Sequence, residues 1–292
     1  MRSLADVDVL SPASVDEALE ILHQKAGGIK IVAGGTDLIV QMKHRIIGKT
    51  DLLNIYMLDE LRYIRLENGS VRVGGLTDFA TIHKSSVVRT AAPVLAEAAS
   101  TIGSVQILNK ASIAGNIVNA SPAADSLPAL YVLEADLHLR SKASSRTVPI
   151  RDFYKGYKKL DMRPDELLVE VSFKQVGDGY LGKFFKHGLR QGDAIAVVNG
   201  AVLLKWDASS KAVSEARIAL GAVAPTVVRA EKAEAILVGS RLEETAIVNA
   251  SRAVQESISP IDDVRGSAAY RREMSTNHVY ITLRMLAEMV RK

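Results

Sequence analysis

Two turns of small residues are the places in this 292-residue chain where chemistry could be sited. The first is Ile31-Val32-Ala33-Gly34-Gly35-Thr36-Asp37-Leu38, a glycine pair between an apolar run and a helix-forming run. Glycine lets backbone come close to a ligand, and the free N–H groups of a helix start favour an anion. The turn therefore suits a phosphate of a bound dinucleotide. It is neither a P-loop nor G-x-G-x-x-G, because the lysine and the spacing are both missing. Taken alone, an ordinary strand-to-helix turn accounts for it equally well. The second place lies within residues 111–130, where Ala114-Gly115-Asn116 supplies another tight turn with small neighbours. There Ser112 and Asn116 can hydrogen-bond a ligand, and Asp125 is placed to accept bonds from hydroxyls. A surface Ω-loop would explain this element by itself. Two such turns converging on one diphosphate is the reading that uses both.

Other chemistry finds little support. The six histidines (His23, His44, His83, His138, His187 and His278) show no HxH, HxxxH or HExxH spacing, so a metal site is not expected. With no cysteine there is no thiol nucleophile, no disulfide, no Cys-ligated zinc and no protein-held iron–sulfur cluster. There is no G-x-S-x-G elbow, and no isolated carboxylate pair suggests glycosidase chemistry. Trp206, on an alternating run, reads as a core residue. Redox chemistry, if present, must be carried by a bound organic cofactor.

The elements that must position these turns read as α/β at first. Ser14 and Glu17 have capping-box spacing before Val15, Ala18, Leu19 and Leu22 at helical period. Gly27-Gly28 ends that helix. Residues 29–33 form a short strand, Thr36 can cap a second helix, and residues 52–56 form another strand, which implies parallel pairing. Asn68-Gly69 then marks a type I′ hairpin between residues 63–66 and 71–74. Thr77 is expected to cap a helix to Ile82, residues 91–102 to be helical, and residues 112–128 to form an irregular, functional loop. Residues 137–139 and 167–173 read as antiparallel strands. Gly177-Asp178-Gly179 is the best boundary. Beyond it, residues 183–188, 194–206 and 212–223 alternate like three antiparallel strands, and residues 229–237, 243–258 and 267–290 are helical. The expected fold is α+β, with residues 1–176 (lobes of about 1–56 and 57–176) followed by a smaller domain of residues 177–292.

Composition agrees with a soluble globular protein, at 48% hydrophobic and 24% charged. The net charge is +4, but its basic residues form no long run and aromatics are only 5%, which argues against nucleic acid. Residues 1–14 lack an apolar signal core, and no run of 18 apolar residues exists, so a cytoplasmic protein with no membrane span is expected.

At its two turns the sequence resembles the FAD-binding medium subunit of the molybdenum hydroxylases, the group of xanthine dehydrogenase and aerobic carbon monoxide dehydrogenase. The likeness extends along essentially the whole chain: AGGTDL at residues 33–38, ASIAGN at 111–116, SPAAD at 121–125, DELLVEVSF at 165–173, RIALGAVAPTVVRA at 217–230 and DVRGSAAYRR at 263–272. The resemblance implies a two-lobed domain of the vanillyl-alcohol oxidase (PCMH) type holding FAD between its lobes, then a smaller α+β domain of three antiparallel strands plus helices. Ile31 through Leu38 would hold the diphosphate. Ser112, Ala114, Gly115 and Asn116 would grip it and the ribose from the other side. Asp125 would bond ribityl or ribose hydroxyls, Ile102 would lie near the adenine, and Leu168 would cover the isoalloxazine. No residue of this chain is implied to be catalytic. Molybdopterin and two [2Fe–2S] clusters would sit on separate large and small partner subunits, in a dimer of heterotrimers. The absence of cysteine fits a chain that holds no cluster itself.

The sequence departs from the family twice. Ala114 stands where relatives have the first of two glycines, so a left-handed residue there would be disfavoured. Val197 lies close to where some relatives place a flavin-facing lysine after the D-x-I element, so none is carried over. Two further readings remain: a stand-alone flavin oxidase or reductase of the same fold, and an assembly module that has lost its cofactor.

Overall fold

The computed structural model describes residues 7–25 and 27–291. The reading of the first residues as lacking a signal core lies partly outside this range. The chain begins with strand β1 (Val9–Leu10), helix α1 (Val15–Gln24), strand β2 (Ile29–Val32), helix α2 (Leu38–Lys43) and strand β3 (Asp51–Asn54). The strands form a parallel sheet in the order β1-β3-β2. Ser14 Oγ accepts from Glu17 N–H at 3.2 Å, while the Glu17 carboxylate accepts from Ala13 N–H at 2.6 Å, so the N-terminus of α1 is capped as its spacing predicts. Its face of Val15, Ala18, Leu19 and Leu22 is buried, each large residue contributing about 1.5–3 kcal/mol. Thr36 does not cap α2. Asp37 occupies that position, and its carboxylate accepts from Gln41 one turn on rather than from the backbone.

The second lobe opens with the hairpin of β4 (Ile64–Glu67) and β5 (Ser70–Gly74). Asn68 (φ +51°) and Gly69 (φ +73°) supply the two left-handed residues that a type I′ turn needs. Helices α3 (Phe79–Lys84), α4 (Ser86–Ala91), α5 (Pro93–Ser100), α6 (Val105–Leu108), α7 (Ile113–Val118) and α8 (Ser126–Val132) follow. Then come β6 (Asp136–Arg140), β7 (Ser145–Pro149), α9 (Ile150–Phe153), β8 (Tyr154–Gly156), β9 (Lys159–Leu160) and β10 (Leu167–Lys174). The five-stranded antiparallel sheet has the order β4-β5-β10-β6-β7. One face of it packs on the helices through Val71, Val73, Leu137, Leu139, Val171 and Phe173, and Leu167 and Val169 pack on the first lobe.

Two expectations fail in this lobe. Asp78, not Thr77, caps α3, accepting from Thr81 N–H at 2.8 Å, because the Thr77 hydroxyl is used across the sheet on Tyr63. Residues 112–128 are not an irregular loop, since they contain α7 and the start of α8. Every residue of α8 is buried, so it shows no polar face by which periodicity could reveal it.

The rest comprises β11 (Tyr180–Gly188), β12 (Ala196–Asp207), β13 (Ala212–Gly221), β14 (Val228–Arg229), α10 (Glu231–Leu237), α11 (Glu244–Ala253) and α12 (Ala268–Arg291). The sheet is antiparallel in chain order, and the short β14 adds a fourth strand to the three expected. Residues 196–204 of β12 are buried without interruption rather than alternating. The cause is that both sheet faces are covered: Ala201, Leu203 and Ala219 face the second lobe, while Val198, Val202, Ile218 and Leu220 face α10–α12. Among the described residues no helix is long and apolar enough to cross a membrane.

Candidate functional site

The turn after β2 is held against the segment before α7 by direct backbone contact. A Cβ on Gly34 would lie 1.8 Å from the Lys110 carbonyl oxygen and 2.5 Å from its carbon, so only glycine fits. Gly35 adopts φ +69°, a conformation that costs other residues about 1 kcal/mol. Gln41 Nε2, on α2, reaches Asn119 Oδ1 at 3.4 Å at the far end of α7. The two turns singled out in the sequence thus meet. Among the described residues, no acceptor takes the N–H groups of Gly34, Gly35 and Thr36. Ala33, Gly34, Gly35 and Thr36 are half-buried and Asp37 is exposed. The side chains of Ile31, Val32 and Leu38 pack within the first lobe, so this segment offers a ligand its backbone.

The partner segment is a helix start rather than a tight turn. Ser112 caps α7, its Oγ accepting from Gly115 N–H at 3.2 Å. A Cβ on Gly115 would come within 2.9 Å of that oxygen. Ala114 is helical and donates its N–H to the Gly75 carbonyl at 3.0 Å. No left-handed residue is required there, and the departure from the family pattern is accommodated. Asn116 Oδ1 accepts from Ser126 Oγ at 2.6 Å, linking α7 to α8.

Asp125, 7% exposed, is already engaged. Its Oδ2 accepts from Lys186 Nζ at 2.6 Å and its Oδ1 from Asn199 Nδ2 at 2.8 Å. Lys186 also donates to the Thr101 carbonyl at 2.8 Å. Burial pushes the Asp125 carboxyl up from its ordinary value, against the pull of the Lys186 ammonium and the Asn199 amide. A ligand hydroxyl would share lone pairs of a carboxylate that already has two donors. Ile102 and Leu168 are core side chains, 7% and 2% exposed. Leu168 lies at the register shift in β10, and its carbonyl closely approaches Gly75.

Lys186 and Asn199 were not apparent from the sequence. They are opposite one another in the β11–β12 register, so both side chains reach Asp125 from one face. Val197, where the resemblance would have put a lysine, is fully buried. One signal was available: an asparagine inside the apolar run of β12 is a buried polar group in need of a partner. Among the described residues no group of three or more His, Asp or Glu could hold a metal.

The geometry suits an elongated anion. A narrow backbone cradle with three free N–H donors fits a diphosphate, and the hydroxyl, amide and carboxylate groups of Ser112, Asn116 and Asp125 fit the polar sugar portions.

The chain is similar to known proteins along most of its length. A family model for the FAD binding domain in molybdopterin dehydrogenase matches residues 5–173, and one for the CO dehydrogenase flavoprotein C-terminal domain matches residues 183–286. The chain is 33% identical to the glyceraldehyde dehydrogenase medium chain of Sulfolobus acidocaldarius, over 89% of this chain and 91% of that one. It is 32% identical to the xanthine dehydrogenase FAD-binding subunit of Escherichia coli O157:H7, over 89% and 88%. The solved carbon monoxide dehydrogenase of Hydrogenophaga pseudoflava contains a chain that superposes with a TM-score of 0.91 at 33% identity, covering 95% of this chain and 96% of that one.

Proposed function

The chain belongs to the family of FAD-binding medium subunits of molybdenum hydroxylases, and on that premise we propose that it works in the cytoplasm as the electron-exit subunit of a heterotrimeric dehydrogenase. FAD, when bound, supplies the exchange of electrons between one-electron clusters on a small partner subunit and an external acceptor. The molybdopterin of a large partner subunit would be the origin of those electrons, in a dimer of heterotrimers.

This chain's own work is to bind and orient. Gly34, Gly35 and Thr36 would donate backbone N–H groups to the diphosphate, with Ser112, Gly115 and Asn116 opposite them. Asp125, oriented by Lys186 and Asn199, would fix the hydroxyl-bearing portion. Ile102 and Leu168 would provide apolar backing for the ring systems. We divide the chain at Gly177-Asp178-Gly179, between the two family matches, with residues 1–176 (lobes of about 1–56 and 57–176) holding FAD and residues 177–292 covering it. The observation that carries this reading is the seating of Gly34 on the Lys110 carbonyl, which brings the two turns together. The assembly-module alternative rested on Ala114, and a helical Ala114 removes its support.

Purification of the chain tests the proposal. Yellow protein with flavin absorption bands, or stoichiometric uptake of added FAD, is the expected result. Colourless protein that takes up no FAD would overturn it.

A further inference from the structure

Arg271, 2% exposed, heads the fully buried side chains by volume. It stands in the first turn of α12, and its Nη1 donates to the carbonyls of Val197 (2.7 Å) and Ala222 (2.9 Å). Its Nη2 lies 2.6 Å from Asp263 Oδ1, and its Nε has no partner. Burying a guanidinium is costly, so what its bonds fix matters.

Both carbonyls belong to strand ends that reach the other domain. Val197 is two residues before Asn199, which donates to Asp125. Ala222 follows β13 with φ +63°, and its own N–H donates to the Pro122 carbonyl at 2.7 Å. The two strand ends also touch, since a Cβ on Gly221 would lie 2.2 Å from Asn199 Oδ1. Pro122 and Asp125 are therefore gripped by two strand ends that share one cation. Ser126, next in the chain, holds Asn116 of α7.

We propose that Arg271, held by Asp263, is a positioning residue for the FAD site, acting through the ends of β12 and β13 to fix Pro122, Asp125 and, through Ser126, Asn116. The inference rests on the flavin reading above. Asp263 suits this part: its bond to Arg265, with Arg271 beside it, holds the carboxyl down at about 2, so the clamp stays ionised. The C-terminal domain then does more than cover the cofactor, because the helix layer beyond its sheet sets the geometry of a segment in the other domain.

The test uses the full chain with Arg271→Met and the milder Arg271→Lys and Asp263→Asn. Leu286→Ala, a fully buried substitution in the same layer, is the control for general destabilisation. In FAD-free protein, amide exchange across residues 121–126 should rise about tenfold in the Arg271 variants and stay unchanged in Leu286→Ala. The FAD dissociation constant, read by flavin fluorescence, should rise on the order of tenfold to a hundredfold in Arg271→Met and less than about threefold in the control. Combining Arg271→Met with Asn199→Ala should weaken FAD by less than the product of the single effects, because both act on Asp125. Unchanged exchange at 121–126, or effects that simply multiply, would overturn the proposal. Failure of the wild-type chain to take up FAD would sink the flavin reading instead, and the exchange measurement would still decide whether the clamp exists.

Discussion

Gly34→Ala is the sharpest perturbation of the cradle. The added methyl would lie 1.8 Å from the Lys110 carbonyl oxygen, so the two turns must part by about 2 Å to reach ordinary contact. Overpacking of that kind costs about 1–3 kcal/mol of stability. The effect on ligand is larger. Donors at ~2.9 Å from a phosphate oxygen would move beyond bonding range, and each charge-assisted bond is worth about 1.5–3 kcal/mol. Two lost bonds give about 3–6 kcal/mol, or roughly 10²- to 10⁴-fold weaker FAD binding. Equilibrium titration with FAD, alongside thermal unfolding of the FAD-free protein, separates the two effects. Gly48→Ala meets nothing within 4 Å and should change neither. Gly35→Ala should be milder in stability, about 1 kcal/mol, from its left-handed backbone. Wild-type affinity and melting temperature in Gly34→Ala would refute the reasoning that these two turns form one cradle.

Other outcomes follow from the same contacts. Ala114→Gly should lose about 0.5–1 kcal/mol by weakening α7, as read by urea unfolding, and should leave FAD affinity within about twofold. Lys186→Met leaves Asp125 buried without its ammonium and should cost about 3 kcal/mol at neutral pH. Since Asp125's folded value is already raised by burial and would rise further, the variant is least penalised when that carboxyl is protonated. Its deficit in thermal unfolding should therefore shrink as pH falls and grow as pH rises through the folded value. The carboxyl of Glu166 is shifted the other way. Burial pushes its carboxyl up, but the Arg146 fork and Arg163 outweigh that and hold it below the usual range. Glu166→Gln should cost about 2 kcal/mol near neutrality, and the gap to wild type should close as pH falls through the folded value.

What the sequence revealed follows physical lines. The Asn68-Gly69 hairpin and the capped start of α1 were legible because turn and cap chemistry act over a few residues. The pairing of the two glycine turns was legible as a hypothesis, but its mechanism was not. That Gly34 must lack a Cβ depends on the Lys110 carbonyl, which no local pattern encodes. At α3 the cap fell one residue on, at Asp78, because the Thr77 hydroxyl has a long-range partner on Tyr63, while Asp37 at the start of α2 gives the backbone no side-chain cap. Helix α8 was missed because complete burial erases the amphipathic period on which such readings depend.

Lys186 is a buried cation that no local motif marks. The position two residues after Asp193-Ala194-Ile195 is Val197, a core residue of β12. Lys186 instead comes from the neighbouring antiparallel strand, where it faces Asn199 in register and reaches the same carboxylate. The buried Asp125 demands donors, and two adjacent strands can supply them only at cross-strand positions that share a face. Only Lys186 among the described lysines lies within ion-pair distance of that carboxylate. The pair thus adds a charged link to the apolar seam of Ala201, Leu203 and Ala219 by which the C-terminal sheet packs on the second lobe.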